Sequence, residues 1–113
     1  MACPFCLNEN KQIKDLIIFE SIYSYCALSL MYINEGHSLI IPKRHVKSLN
    51  ELNNDERRDF FGAISKTREI MKDCLKVSEV IIYSKDGPSK NKTVEHAHFH
   101  LVPNYENSPL PSV

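Results

Sequence analysis

The chain carries no surplus of charge of either sign, because fourteen basic side chains balance fourteen acidic ones. That excludes a protein whose main task is coating nucleic acid or an anionic membrane, since both require a strong positive field. A basic stripe interleaved with aromatics, the footprint of direct nucleic-acid binding, is missing as well. No apolar run approaches the roughly 18 residues needed to cross a bilayer. Internal repeats, low-complexity tracts and interdomain linkers are absent, and 113 residues leave no room for a second core of useful size. The opening Met-Ala-Cys-Pro-Phe-Cys lacks the basic and apolar regions of a secretory leader. At 42% hydrophobic and 25% charged, the remaining composition is that of a globular domain rather than a disordered tail or a fibre. The expectation is one soluble, cytoplasmic domain over residues 1–113.

Cysteine is scarce, and its four copies are unevenly placed. Cys3 and Cys6 form a Cys-x-x-Cys, which in a reducing compartment holds metal or does redox chemistry more often than it makes a structural disulfide. Cys26 and Cys74 sit alone inside apolar patterns and are expected to be small buried hydrophobes.

Periodicity supplies the elements. Residues 16–19 and 22–28 are β-prone runs around Glu20-Ser21, which predicts a hairpin. Residues 37–42 read as a strand that Pro42 ends, and residues 45–51 as a short helical turn. The clearest helix spans 54–76, with Asn53 as N-cap and Glu56 where a capping-box acid belongs. Phe60, Ile64, Thr67, Met71 and Cys74, flanked by Phe61 and Leu75, recur at three- and four-residue steps and form its expected buried face. Residues 79–83 form a further strand, followed by a polar stretch with a turn at Asp86-Gly87-Pro88. The last strand is expected over 94–102, closed by Pro103, with residues 104–113 as an extended arm. Strands and two helices in this order predict an α+β domain with a largely antiparallel sheet.

The chemistry concentrates in Glu95-His96-Ala97-His98-Phe99-His100-Leu101. Strand side chains alternate, so His96, His98 and His100 share one face at steps of roughly 6.5–7 Å. Ala97, Phe99 and Leu101 point the other way, into the layer where the apolar helix face belongs. Neighbouring histidines of such a row can chelate one zinc, but the outer two are too far apart to share it. At least one imidazole is therefore left for acid–base or nucleophilic work. Cys3 and Cys6 offer half of a tetrahedral zinc site, which His45 and one histidine of the row can complete. A redox role for the two cysteines stays open.

The chain resembles the histidine triad (HIT) superfamily of nucleotide hydrolases and transferases. The resemblance rests on Cys3-Pro-Phe-Cys6, on Gly36-His37-Ser-Leu-Ile-Ile-Pro42-Lys-Arg-His45, and on His96-x-His98-x-His100-Leu-Val-Pro103. It implies a HIT-like α+β fold: a mainly antiparallel five-stranded sheet with one long and one short helix, paired into a homodimer with a continuous ten-stranded sheet. It further implies one structural zinc per chain on Cys3, Cys6, His45 and His96. His98 is then the nucleophile toward the α-phosphate of a purine nucleotide, forming a covalent nucleotidyl-histidine, and His100 supports it.

Donors for the phosphate are expected within 84–93, a stretch that includes Lys85, Lys92 and Thr93. Many members have Gly-Gln-Ser where this chain has Asn91-Lys92-Thr93, so Thr93 takes the serine's place and Lys92 the glutamine's. Ser29 stands where many members have an acid for the ribose hydroxyls. His37 is read as packing, and Lys43 and Arg44 as surface charges. The histidine at position 100 and the short chain point toward a phosphoramidase-like hydrolase cleaving a phosphoramidate, phosphosulfate or anhydride bond. Dinucleoside polyphosphate hydrolysis comes second. A non-catalytic dimeric module binding nucleotide or protein is the alternative.

Overall fold

The computed structural model describes residues 3–7, 11–87 and 95–106. The elements in chain order are α1 (Lys11–Lys14), β1 (Ile17–Glu20), β2 (Ser24–Leu28), β3 (Ser38–Pro42), a 3-10 turn (Leu49–Glu51), α2 (Asn54–Leu75), β4 (Glu79–Tyr83) and β5 (Phe99–Asn104). The five strands form one sheet in the order β1-β2-β3-β5-β4, and every neighbouring pair is antiparallel. The expected α+β architecture is present. The one-turn α1 is an addition, since no sequence pattern marked it.

β2 and β3 are the centre of the sheet, and alternation divides their side chains between two layers. Cys26 and Ile40 face α2 and join Phe60, Ala63, Met71, Ala97 and Leu101. Tyr25, Ala27, Leu39 and Ile41 face the other way and are covered by Ile13, Phe5, Leu7, Leu16 and Ile17. Both faces of these strands are therefore dry, which explains why they read as near-continuous apolar runs. Leu39 lies opposite His100 in the β3–β5 register, so the histidine face is the one covered by the N-terminal segment, not the one covered by α2.

α2 begins as its capping box dictates. Asn53 accepts from the Glu56 backbone N–H, and the Glu56 carboxylate accepts from that of Asn53. Glu56 also receives Nε and Nη2 of Arg44 at 3.0 and 2.9 Å, so Arg44 is a strap between β3 and the helix start, not a loose surface charge. The buried stripe runs Phe60, Ala63, Thr67 and Met71. Phe61 and Cys74 were expected to flank or continue it, but both are exposed, Phe61 at 71%. Phe61 lies about 100° around the helix from Phe60, and the sheet no longer covers the last turn. Leu75 is only partly covered, and it packs close to Gly36. Gly36 has φ +87, a left-handed conformation that strains any other residue, and a Cβ there would also sit 2.7 Å from Leu75 Cδ1, which would have to shift.

β5 departs from the expected 94–102. Residue 94 is outside the described residues, and the regular ladder begins only at Phe99. Pro42 supplies no N–H, its carbonyl accepts from the His96 ring, and the Ala97 N–H turns to Val46 O at 2.8 Å. Alternation survives this break, because Ala97 still enters the helix-side core. At the other end Pro103 does not close the strand, which continues through Asn104 opposite β4. Beyond Leu101 β5 pairs with β4 but not β3, and such an edge accommodates a proline. Most of the expected arm, residues 107–113, lies outside the described residues.

Candidate functional site

Cys3, Cys6, His45 and His96 converge from the N-terminus, the end of β3 and the approach to β5, with their ligand atoms all within 4.8 Å of one another. His96 Nδ1 is 3.3 Å from Cys3 Sγ and 3.6 Å from Cys6 Sγ, and His45 Nδ1 is 3.2 Å from Cys6 Sγ. A zinc with arms of about 2.3 Å to sulfur and 2.0–2.1 Å to nitrogen sets such edges near 3.5 Å, so the cluster has the dimensions of a tetrahedral site. The protonation pattern agrees. His96 Nε2 lies 2.7 Å from Pro42 O, which can only accept, so Nε2 carries the proton and Nδ1 the lone pair. Burial pushes the His96 pKa down to about 4, which keeps the ring neutral as a ligand must be. These four residues fit a metal ion.

His98 follows two residues on. Its Nδ1 is 2.8 Å from the carbonyl oxygen of His96. The proton must sit on Nδ1, and Nε2 then carries the lone pair. The Ser84 hydroxyl donates to His98 O at 2.6 Å, so this serine braces the backbone rather than a phosphate. The His98 ring makes edge contacts with Phe5 and His100, each at a centroid distance of 4.9 Å.

His100 is held on two sides. Tyr83, its cross-strand partner on β4, stacks on it at 4.4 Å with the planes 3° apart. Its Nδ1 lies 2.9 Å from His37 Nε2. The Ile33 backbone N–H donates to His37 Nδ1 at 3.1 Å, so that nitrogen is an acceptor and the His37 proton sits on Nε2. Burial lowers the pKa of His37 and brings that of His100 to about 4, so both rings are neutral near pH 7. His37 Nε2–H therefore donates to His100 Nδ1, and the His100 proton is on Nε2. The outcome is a lone pair on one imidazole beside an N–H on the next. His37 was read only as packing. It is buried, but it also sets the tautomer of His100.

Lys85 is exposed, and its charge lies near enough to act against protonation of His100. Its loop is tied down by Asp86, whose carboxylate accepts the Ser48 hydroxyl at 2.7 Å and the Leu49 N–H at 2.9 Å. Lys92 and Thr93 lie outside the described residues. Ser29 lines a cavity of about 350 Å³ with Leu16, Leu28, Leu30, Glu35 and His37, which is within the range of small-molecule sites. Its hydroxyl donates to Met31 O at 3.2 Å. His37 connects this cavity to His100. Phe5, Tyr25 and Tyr83 were not expected at the site, and Asp86 was expected only as part of a turn. Tyr83 carried a signal of its own, its place at the end of a strand that leads into the polar stretch.

Residues 10–107 match the HIT domain family. The chain belongs to the HIT family. It is 32% identical over 104 residues to an uncharacterised HIT-like protein of Methanocaldococcus jannaschii, covering 92% of this chain and 80% of that one. It is 31% identical over 102 residues to an adenosine 5'-monophosphoramidase of Saccharomyces cerevisiae, covering 90% of this chain but only 62% of the yeast protein. Among solved structures, a HIT family protein from Bacillus anthracis superposes with a TM-score of 0.80 at 26% identity, covering all of this chain and 82% of that one. Within this HIT domain, no helix among the described residues is long and apolar enough to cross a membrane.

Proposed function

We propose that this HIT domain is a nucleotide hydrolase that cleaves a phosphoramidate, phosphosulfate or anhydride bond at the α-phosphate of a purine nucleotide, with His98 as nucleophile. The observation that carries the reading is the paired tautomers: His98 Nδ1–H is engaged by the His96 carbonyl, while His100 Nδ1 is engaged by His37. In the first step His98 Nε2 donates its lone pair to the α-phosphorus and a P–Nε2 bond forms. The bond to the leaving group breaks, and that group departs with the electron pair and takes up a proton. In the second step water attacks phosphorus and releases to solvent one proton, which balances the one the leaving group drew from solvent, the P–Nε2 bond breaks, and the pair returns to His98. His100 Nε2–H, fixed in advance, donates to the phosphate oxygen whose charge grows on attack. Lys85, Lys92 and Thr93 are the proposed further donors, and the cavity beside Ser29 takes the nucleoside.

Cys3, Cys6, His45 and His96 are the proposed zinc ligands. A zinc with four protein ligands supplies a structural clamp, and the chemistry above belongs to the histidines. The β4 edge is the proposed pairing strand of a homodimer with a continuous ten-stranded sheet. The similarity to a monophosphoramidase, and at 30% identity to a yeast bis(5'-adenosyl)-triphosphatase, supports a nucleotide substrate with either bond.

The test is steady-state turnover of adenosine 5'-phosphoramidate by the wild-type chain and His98→Ala. Turnover that disappears in the variant is expected, and turnover retained there rules out His98 as nucleophile. Tight nucleotide binding with no product from the wild type favours a non-catalytic binding module.

A further inference from the structure

The turn Cys3-Pro4-Phe5-Cys6 carries more than two sulfur ligands. It is closed by the Cys6 N–H donating to Cys3 O at 3.3 Å, and the residue at its tip is Phe5. The Phe5 ring meets His98 edge-on, 4.9 Å between centroids at 71°, and reaches His96 at 6.2 Å. The turn has two anchors. Tyr25, which is fully buried on β2, donates its hydroxyl to Phe5 O at 2.6 Å. The second anchor is the ligand cluster itself, through the sulfurs on either side of Phe5.

A single hydrogen bond at Nδ1 does not fix an imidazole, because the ring can still swing about its side-chain torsions while keeping that bond approximately linear. A packed edge contact on the ring removes this freedom, and aromatic pairs in this geometry are favourable beyond their buried area. We propose that Phe5 is a positioning residue for His98, and that metal held by the flanking cysteines sets the nucleophile's orientation by pressing Phe5 against it. The metal then serves catalysis through packing, although it touches no reacting atom. This reading rests on the proposed role of His98 only for its activity arm.

The experiment uses the full chain loaded with zinc, with metal content measured for every sample. Ring ¹H–¹⁵N spectra report the His98 tautomer and its exchange, and adenosine 5'-phosphoimidazolide reports the labelling rate. Phe5→Ala with its metal in place is expected to turn the single His98 pattern into an exchanging one. Its labelling should slow roughly 10- to 100-fold, the range for losing a residue that orients a reacting histidine. Phe5→Tyr should restore both, and removing zinc from the wild type should reproduce the Phe5→Ala spectrum. A metal-replete Phe5→Ala chain with unchanged His98 signals and rate overturns the proposal. Should that variant lose its metal, Tyr25→Phe carries the test. It removes one oxygen, and His98 exchange is expected to appear more readily as zinc is withdrawn. An unaltered zinc dependence in Tyr25→Phe contradicts the proposal. If the wild type takes no label at all, the nucleotidyl-transfer reading fails, while the spectra still decide the role of Phe5.

Discussion

His98 Nδ1 donates across 2.8 Å to the carbonyl oxygen of His96, the residue whose own ring enters the metal-ligand cluster. One residue thus serves two sites with different atoms. Its imidazole belongs to the cluster proposed as a metal clamp, and its backbone selects the tautomer of His98, the proposed nucleophile. The Cys/His cluster and His98 are thus joined through a single peptide segment.

The link between His37 and His100 should be visible in turnover. His37→Ala removes the donor that holds the His100 proton on Nε2, and kcat is expected to fall on the order of tenfold, the worth of one ordinary hydrogen bond. KM should change little, since the interaction strengthens as charge develops on phosphate. His37→Asn can still donate and should recover part of the loss. Equal effects on kcat and KM in both variants would argue against the relay.

Acid should weaken the fold through the same pair. His100 titrates near 4 when folded because burial opposes its charge, and His98, His37 and Lys85 add to that effect. Unfolded, it titrates near 6.5. Between those values the unfolded chain binds more protons, so stability rises with pH. The contribution is complete above about 6.5, declines down to about 4 and is level below. His100→Gln should lessen the slope of urea-denaturation stability against pH across that window, a slope to which buried His96 also contributes, and an unchanged slope would contradict the assignment.

Zinc removal tests the clamp. The four ligands join three distant parts of the chain, so stripping the metal with a chelator should lower Tm by roughly 10 °C, about 2 kcal/mol for a domain of this size. Re-addition of zinc should restore it at one equivalent per chain. Scanning calorimetry with matched metal analysis checks both statements.

Glu56 is buried and accepts from both the Asn53 N–H and Arg44. Glu56→Ala removes half of the capping box and leaves Arg44 without its carboxylate, at an expected cost of about 1–3 kcal/mol. Metal content should stay the same, because no ligand is touched. Urea midpoints and elemental analysis separate the two effects.

Repeating patterns were the most legible part of the sequence. The alternation at 96–101 revealed a histidine face and a core face, and three- and four-residue steps located most of the helix stripe. Beyond repeats, the sequence-local capping box at Asn53 and Glu56 and the Cys-x-x-Cys were legible, but single contacts between distant residues mostly were not. His37 has no pattern of its own, and its role exists only because β3 and β5 pair with Leu39 opposite His100. The acceptor for His98 is a backbone oxygen, which no side-chain motif announces. Cys74 followed the helix period and still faces solvent, since periodicity does not say where the sheet stops. Phe5 gave no sign because its contact with His98 comes from its place between the two cysteines of the cluster.

The most direct test of the central claim is intact-protein mass spectrometry after brief exposure to adenosine 5'-phosphoimidazolide. With His98 as nucleophile, the wild type gains one adenylyl group and His98→Ala gains none. No gain in the wild type, or the same gain in the variant, would contradict that role.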